Sequence, residues 1–345
     1  MQTIGDTPHD RPTEVKGRNI IWQSLESRGF PGQLVDIMMK AQRDSTTKTY
    51  SGYLVKWTEF CDKERIDYFK PGLVDALKFL RLVFDNGSKQ YSTVNTARSA
   101  LSLIVMLPGY DGKFGEHPDV TRFMKAISQI KPARPRYIDT WDPDLVLKLF
   151  LIWSPASKLS LELLTMKTVM LTLLVSGKRP QIIRKLNVEN MKIGKNSFTF
   201  YLDQTDLKEG RRGYKPEKLK LSKYPANKKL CIYTYLTKYL EATLAIRGTT
   251  KTVFLTVKKP YHTPSSDTVA RWIKSVLNHA GVDTSHFSAA STRAASASKA
   301  NRGGTPLGEI MRAAGWSRAS TFTKFYNKPL TENSNFAKTV LTLEG

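Results

Sequence analysis

The stretch from His286 to Tyr326, HFSAASTRAASASKANRGGTPLGEIMRAAGWSRASTFTKFY, is the most informative part of the chain. Arg293 stands among alanines and serines, which predict a helix that packs tightly or allows a close approach by another molecule. An AAGW turn with Trp316 follows, and Tyr326 comes ten residues later. An arginine, an indole N–H and a tyrosine hydroxyl together suit the binding and attack of a phosphodiester.

Composition and charge point to a polyanionic partner. The chain has 345 residues, which is enough for two domains with cores of their own. Its 54 Lys and Arg against 30 Asp and Glu give a formal net charge of +24. Such an excess favours nucleic acid, because lysines and arginines release counterions from phosphates. The alternative is a basic protein without a specific ligand, but the basic residues recur beside aromatic and small-residue segments along the whole chain.

Other classes of protein are disfavoured. No segment approaches the roughly 18 apolar residues of a membrane-spanning helix, and the longest candidate, 165–175, is interrupted by Lys167. The first residues contain no apolar core of a secretory signal. Cys61 and Cys231 fall in apolar helical patterns and are predicted to be buried free thiols. The five scattered histidines predict no metal site, so we expect an intracellular protein without a metal.

The chain divides into four predicted regions. Residues 1–28 are polar and aperiodic and predict a flexible arm, whereas 29–132 show helical periodicity and predict an all-helical domain. The segment 131–144 contains three prolines together with Lys131, Arg134 and Arg136, and it predicts an extended basic linker over 133–142. A second domain is expected over 143–345, because Pro143 after Asp142 is a typical helix start.

The second domain is predicted to be helical with a small β-hairpin. Phe198, Phe200 and Leu202 alternate with polar residues, and so do Leu219 and Leu221. Helices are expected near 143–153, 159–176, 231–246, 266–279, 289–302, 306–314 and 317–326. The fold class is therefore mainly α with a small sheet, in an all-helical domain followed by an α+β domain.

Individual residues can be read in two ways. Arg179 follows Gly177 at a helix end, where it either binds a phosphate or caps the helix carbonyls. Arg293 has no acid three or four residues away on either side, which favours an external anion over a helix salt bridge. Trp316 is either a hydrogen-bond donor or a core aromatic, and Tyr326 either a nucleophile or a partner of Phe322 and Phe325.

Basic residues flank these positions. Lys208 begins the predicted hairpin tip, where it either donates a proton to a leaving oxygen or is a solvated charge. Arg211 and Arg212 lie in the same tip, and Arg134 and Arg136 lie in the linker. These four arginines are predicted DNA contacts.

In this order, Arg179, Lys208, Arg293, Trp316 and Tyr326 resemble the tyrosine recombinase (phage integrase-like) family. The resemblance covers nearly the whole chain from about residue 30. The helical domain resembles the family's core-binding domain, and the second domain its catalytic domain. Segments such as SAASTRAASASKA, AAGWSRASTFTKFYNKP and WDPDLVLK are particularly similar to recombinases of the eukaryotic mobile elements DIRS, Ngaro and Crypton.

The resemblance implies a strand transfer on double-stranded DNA that needs no metal, cofactor or small-molecule substrate. Tyr326 attacks the scissile phosphate and forms a 3′-phosphotyrosyl link, while Arg179 and Arg293 bind the non-bridging oxygens. Lys208 protonates the departing 5′-oxygen, and Trp316 donates a hydrogen bond to the phosphate. The resemblance also implies a homotetramer on DNA and, for a eukaryotic mobile element, a nuclear location.

Ala290 departs from the family pattern, because the family's box is His-x-x-Arg and this chain has Ala-Ser-Thr-Arg. The loss of one donor costs on the order of 10²–10³ in rate at other oxyanion sites. Either the protein is a weakened recombinase, or alanine has been introduced to slow turnover; the otherwise complete set favours the second. Two further functions stay open: a DNA-binding protein of this fold without catalysis, and a type IB topoisomerase-like enzyme.

Overall fold

The computed structural model describes residues 12–87, 90–132, 136–202 and 217–330. The chain forms two compact units, 1–134 and 135–345. The first contains helices only in its described part, and the second combines helices with an antiparallel sheet. The predicted fold class, mainly α with a small sheet, is confirmed.

The first unit is built on the apolar faces of its helices. Leu54, Trp57 and Cys61 follow one another at helical spacing and are fully buried, as is Leu101 opposite them in the same core. The helices are α1 (Pro12–Glu26), α2 (Gly32–Met39), α3 (Asp44–Glu64), α4 (Leu73–Asn86), α5 (Tyr91–Ile104) and α6 (Pro118–Ile130).

The prediction of a flexible arm over 1–28 is wrong for its described part. Helix α1 packs on α3, with Ile20, Ile21 and Leu25 buried in the core of the unit. A Cβ built on Gly17 would overlap the side chain of Ser51, so the two helices meet closely at this glycine. Polar residues dominate α1, which hid its short apolar stripe from the periodicity argument. Residues 1–11 lie outside the described part of the chain.

The second unit surrounds an apolar central helix. In α8 nearly every residue from Leu164 to Leu173 is buried, as expected for a helix covered on all sides. The elements are α7 (Pro143–Ile152), α8 (Leu161–Ser176), β1 (Met191–Gly194), β2 (Ser197–Leu202), β3 (Glu217–Ser222), α9 (Ile232–Thr243), α10 (Ser266–His279), α11 (Thr292–Arg302), α12 (Leu307–Ala314) and α13 (Ala319–Phe325). Nowhere in the described ranges is a helix long and apolar enough to cross a membrane.

The sheet has the order β1-β2-β3 and is antiparallel throughout. Phe198 and Phe200 of β2 and Leu219 and Leu221 of β3 point to the core, as their alternation predicted. The edge strand β1 was not predicted, because its four residues MKIG show no clear alternation.

Lys167 lies fully buried at the centre of α8. Its Nζ donates hydrogen bonds of 2.6 Å to the carbonyl oxygens of Phe150 and Trp153, at the end of α7, and lies 3.8 Å from the ring centre of Tyr235. Burial, and to a smaller extent the charge of Lys229, lowers the pKa of Lys167 to about 7. Both cysteines are buried and free, as predicted.

The predicted linker over 133–142 is too long, because its second half packs on the second unit. Tyr137 donates a 2.8 Å hydrogen bond from its hydroxyl to Ser288, and Trp141 donates one of 2.9 Å from Nε1 to Ser291. Trp141 is buried in the core of that unit. The aromatic residues therefore make 136–142 part of the second unit, although the prolines and arginines had suggested an extended segment.

Candidate active site

Two glycines bring the candidate residues of the second unit to neighbouring turns. Helix α8 ends at Gly177 with φ +60°, and α12 ends at Gly315 with φ +75°. Both are left-handed conformations that a residue without Cβ adopts without strain. A Cβ built on Gly177 would lie 3.8 Å from the Cβ of Ala314. The turn that leads to Arg179 therefore lies beside the turn that leads to Trp316.

Arg293, Trp316 and Tyr326 meet in one cluster. Arg293 lies in the first turn of α11 and is only 2% exposed. Its guanidinium carbon lies 4.6 Å from the centre of the Trp316 ring and 5.4 Å from that of Tyr326. The two rings are 4.5 Å apart at an angle of 34°. The cluster thus joins a buried cation to two π-systems within cation–π range.

Trp316 offers a hydrogen-bond donor at this cluster. Its Nε1 is buried and has no hydrogen-bond partner among the described residues. A buried polar group without a partner is costly, and such groups in native structures call for an explanation. An acceptor from a bound molecule, after a small rearrangement of the groups that cover Nε1, would supply the missing bond.

Tyr326 is half-buried at the end of α13, and the chain after it is held on α11. Ser298 donates a 2.6 Å hydrogen bond from Oγ to the carbonyl oxygen of Tyr326 and accepts one of 3.0 Å from the backbone N–H of Lys328. Ser298 was not predicted as a site residue, because a serine in a small-residue helix is typical of close packing. Its spacing from Arg293 on one helix was the only available signal.

Arg179 occupies an extended position in the turn after α8, at φ −70° and ψ 148°. A short 3₁₀ turn, Pro180–Arg184, follows it, and Ile182 and Ile183 of that turn are buried in the core. The backbone of Arg179 is therefore anchored on both sides, while its side chain is half-buried.

Ala290 is exposed on the 3₁₀ turn Ala289–Ser291, which runs directly into α11 and Arg293. Its methyl group offers no hydrogen bond there. His286 does not supply the histidine missing at position 290. Its Nε2 lies 3.4 Å from Asp139 Oδ1, and its ring packs edge-on against Tyr137.

Of the remaining predicted residues, Arg136 lies in the described part of the chain. Arg136 is exposed, with its guanidinium carbon 5.4 Å from the ring centre of Tyr137. Lys208, Arg134, Arg211 and Arg212 lie outside the described residues.

The outer face of the sheet is basic. The register aligns Lys192, Thr199 and Lys220 in one row across the three strands, and it pairs Tyr201 with Lys218 in the next. The Lys218 ammonium lies 5.3 Å from the Tyr201 ring centre. The three lysines are exposed, and in the part of the chain that the structure describes none of them forms an ion pair. This face was not predicted, because it depends on β1 and on the register of the strands.

Comparisons with known proteins identify the fold. No protein-family model matches the chain, and no curated protein matches it. Solved structures do match. The XerH site-specific recombinase bound to palindromic difH substrate, a post-cleavage complex, has a TM-score of 0.57 at 13% identity and covers 97% of both chains. The pre-cleavage complex of XerH has a TM-score of 0.54 at 13% identity and covers 97% of this chain and 92% of that one.

A transposon protein shows the same likeness. The Tn1549 transposon integrase in complex with transposon right end DNA has a TM-score of 0.51 at 12% identity, over 94% of this chain and 98% of that one. At such identities the likeness defines the fold alone, and this fold is that of the tyrosine recombinases.

Proposed function

We propose that this protein is a site-specific DNA recombinase or integrase that cleaves and rejoins DNA through a 3′-phosphotyrosyl intermediate. A fold does not by itself define a function, so the proposal depends on the site. The observation that carries it is the cluster in which the guanidinium of Arg293 lies 4.6 Å from the Trp316 ring and 5.4 Å from the Tyr326 ring. A tyrosine, a cation and an indole, the groups that the proposed reaction requires, thereby lie together.

The proposed reaction exchanges one phosphoester bond for another. The hydroxyl oxygen of Tyr326 attacks phosphorus and releases its proton to water, and the bond from phosphorus to the 5′-oxygen breaks. Lys208 is proposed to donate a proton to that departing oxygen. In the second half of the reaction a 5′-hydroxyl attacks the phosphotyrosine. This attack restores a phosphodiester and releases Tyr326. No bond energy has to be supplied from outside.

Arg179 and Arg293 are proposed to bind the non-bridging oxygens of the scissile phosphate. Charge builds up on these oxygens as the tyrosine attacks, so fixed cations favour the transition state over the ground state. The burial of Arg293 supports this role, because electrostatic attraction is stronger away from bulk water. Trp316 is proposed to donate its Nε1–H to the same phosphate.

Double-stranded DNA is the proposed substrate. The net charge of +24 and the uncovered lysines of the sheet support it. Both XerH and the Tn1549 integrase, which share the fold, were solved with DNA. Arg136, with Arg134, Arg211 and Arg212, is proposed to contact the DNA backbone, and the two units to act as a core-binding and a catalytic domain.

The proposal extends to assembly and origin. Strand exchange between two duplexes requires four cleavages, so a homotetramer on DNA is the expected active form. The similarity of the segments around Arg293 and Tyr326 to DIRS, Ngaro and Crypton recombinases supports a eukaryotic mobile element and hence a nuclear protein.

Ala290 supports a second candidate function, a DNA-binding protein of this fold with little catalysis. The exposed methyl group supplies no donor next to Arg293, and one missing donor lowers rates by about 10²–10³ at oxyanion sites. We rank this DNA-binding function second, because the cluster retains Tyr326, Trp316 and Arg293.

A trapping experiment tests the proposal. Duplexes that bind the protein are selected from a random pool, footprinted for symmetry, and remade with a nick near the cleavage site so that religation fails. We expect a covalent protein–DNA adduct that is absent with Tyr326→Phe. Binding without any adduct would favour the second candidate, and relaxation of supercoils without strand exchange would favour a type IB topoisomerase-like activity.

A further inference from the structure

We infer that Ser298 is a positioning residue for Tyr326: its hydroxyl holds the backbone of the nucleophile against the helix that carries Arg293. The inference rests on the proposed function, since it assigns a role within the same site. It concerns a side chain whose hydroxyl bonds to the backbone of Tyr326 and of Lys328.

The Ser298 hydroxyl both donates and accepts a hydrogen bond in this contact. Ser298 is 1% exposed, donates from Oγ to the carbonyl oxygen of Tyr326 at 2.6 Å, and accepts from the N–H of Lys328 at 3.0 Å. One hydroxyl therefore binds both sides of the turn that follows the tyrosine. An alanine at this position would remove the partner of a carbonyl and of an N–H that are both partly shielded from solvent.

Because Tyr326 lies at the end of α13, the contact with Ser298 sets the orientation of its carbonyl group. The N–H of Tyr326 still bonds to the Phe322 carbonyl, but Tyr326 itself is the C-cap, at φ −128° and ψ −17°. Carbonyls at a helix end have no partner within the helix. The Tyr326 carbonyl takes its partner from α11 instead, which sets the orientation of this peptide.

Helix α11 then acts as a rigid spacer between two parts of the site. Ser298 follows Arg293 by five residues, which corresponds to roughly 7.5 Å along a helix axis. The same helix therefore carries Arg293 and, through Ser298, binds the backbone of Tyr326. In this arrangement the guanidinium carbon lies 5.4 Å from the centre of the tyrosine ring.

Neighbouring contacts add to the attachment but are weaker. Asn301 donates from Nδ2 to Asn327 at 3.3 Å, and Arg302 donates from Nη1 to the Lys328 carbonyl at 3.3 Å. Both are exposed to solvent, so their bonds compete with water. The buried Ser298 contact is the one that sets the position of Tyr326.

The variant Ser298→Ala tests the inference. Adduct formation is measured on the nicked duplex at saturating DNA, and DNA affinity is measured separately. A misplacement of about 1 Å at a reacting atom costs about 10²-fold in rate. We expect the rate constant to fall by roughly 10- to 100-fold while the Kd for DNA changes by less than about twofold. Ser298→Thr, which keeps the hydroxyl, should restore most of the rate.

Ser296→Ala is the matched control. Ser296 lies on the same helix, and its buried Oγ has no hydrogen-bond partner among the described residues. This variant should keep the rate of the unmodified protein. An unchanged rate in Ser298→Ala, or an equal loss of rate and of DNA affinity, would overturn the inference.

Hydrogen exchange separates this inference from the proposed function. The Lys328 amide should be protected in the unmodified protein and exchange markedly faster in Ser298→Ala, whether or not the protein cleaves DNA. If no adduct forms in any variant, the proposed function fails, and the exchange measurement still tests the contact. Equal exchange in the two proteins would mean that Ser298 does not hold the segment.

Discussion

The guanidinium of Arg293 lies 4.6 Å from the centre of the Trp316 ring, although the two residues belong to different helical segments. Arg293 comes from the first turn of α11, and Trp316 from the turn after α12. A cation at this distance from an indole is attracted to it and also has its orientation restricted. The pair therefore presents a fixed positive charge beside Tyr326.

Replacement of Trp316 should separate its donor role from its packing role. Trp316→Phe keeps an aromatic ring beside Arg293 but removes the Nε1–H, so we expect adduct formation to fall by about 10²-fold with folding retained. Trp316→His keeps a hydrogen-bond donor, so its rate of adduct formation should fall less than that of Trp316→Phe. Rates on the nicked duplex check this, with circular dichroism as the folding control. Equal rates for the Phe variant and the unmodified protein would show that the indole acts through packing.

Ala290→His should raise the rate of adduct formation by about 10²–10³-fold, because it adds a hydrogen-bond donor one turn before Arg293. The position is exposed, so the larger side chain displaces no core residue. Ala290→Leu adds similar bulk without a donor and should leave the rate unchanged. If the His and Leu variants behave alike, Ala290 is not the residue that limits turnover.

The lysines of the sheet should contribute to DNA affinity through counterion release. Replacement of Lys192, Lys218 and Lys220 by Gln should reduce the slope of log K against log salt by about three, or roughly one per lysine. Fluorescence anisotropy with Tyr326→Phe as the background checks this without cleavage.

A control of equal charge tests whether the sheet itself is responsible. Lys258, Lys259 and Lys274 are exposed and lie on other segments of the second unit. Replacement of these three lysines by Gln should change the slope of log K against log salt less than replacement of the three sheet lysines does. An equal change in both triple variants would indicate a general effect of net charge.

Stability should rise with pH because of Lys167. Burial lowers its pKa from the usual 10.5 to about 7, so between these values the unfolded chain binds a proton that the folded protein does not. The free energy of unfolding then increases with pH across this window, by up to about 1.4 kcal/mol per pH unit. Below about pH 7 the lysine is charged in both states, and this contribution to the slope vanishes.

Lys167→Met isolates that contribution, since other titrating groups are common to both proteins. It should be less stable, because the Phe150 and Trp153 carbonyls lose their donor. The difference in free energy of unfolding should widen from pH 7 to pH 10 in urea titrations. A difference that is constant with pH would mean that the amine keeps its proton when buried.

Most helices of the protein could be predicted from local pattern. Trp57 and its neighbours in α3, and the alternation around Phe198 in β2, are determined by residues close together in the chain. The failures were α1, whose three core residues are outnumbered by polar ones, and β1, an edge strand of four residues. Tyr137 and Trp141 were assigned to a linker, because only tertiary contacts show what their rings pack against.

The amino-acid sequence by itself determined the excess of positive charge, the two units, and the order of Arg179, Arg293, Trp316 and Tyr326 along the chain. Periodicity and composition depend on neighbouring residues, so they can be evaluated without a structure. Only the tertiary structure decided that Arg293, Trp316 and Tyr326 form one cluster, and that Ser298 bonds to a carbonyl 28 residues away. These contacts depend on how α11, α12 and α13 pack, and short-range pattern carries no information on that packing.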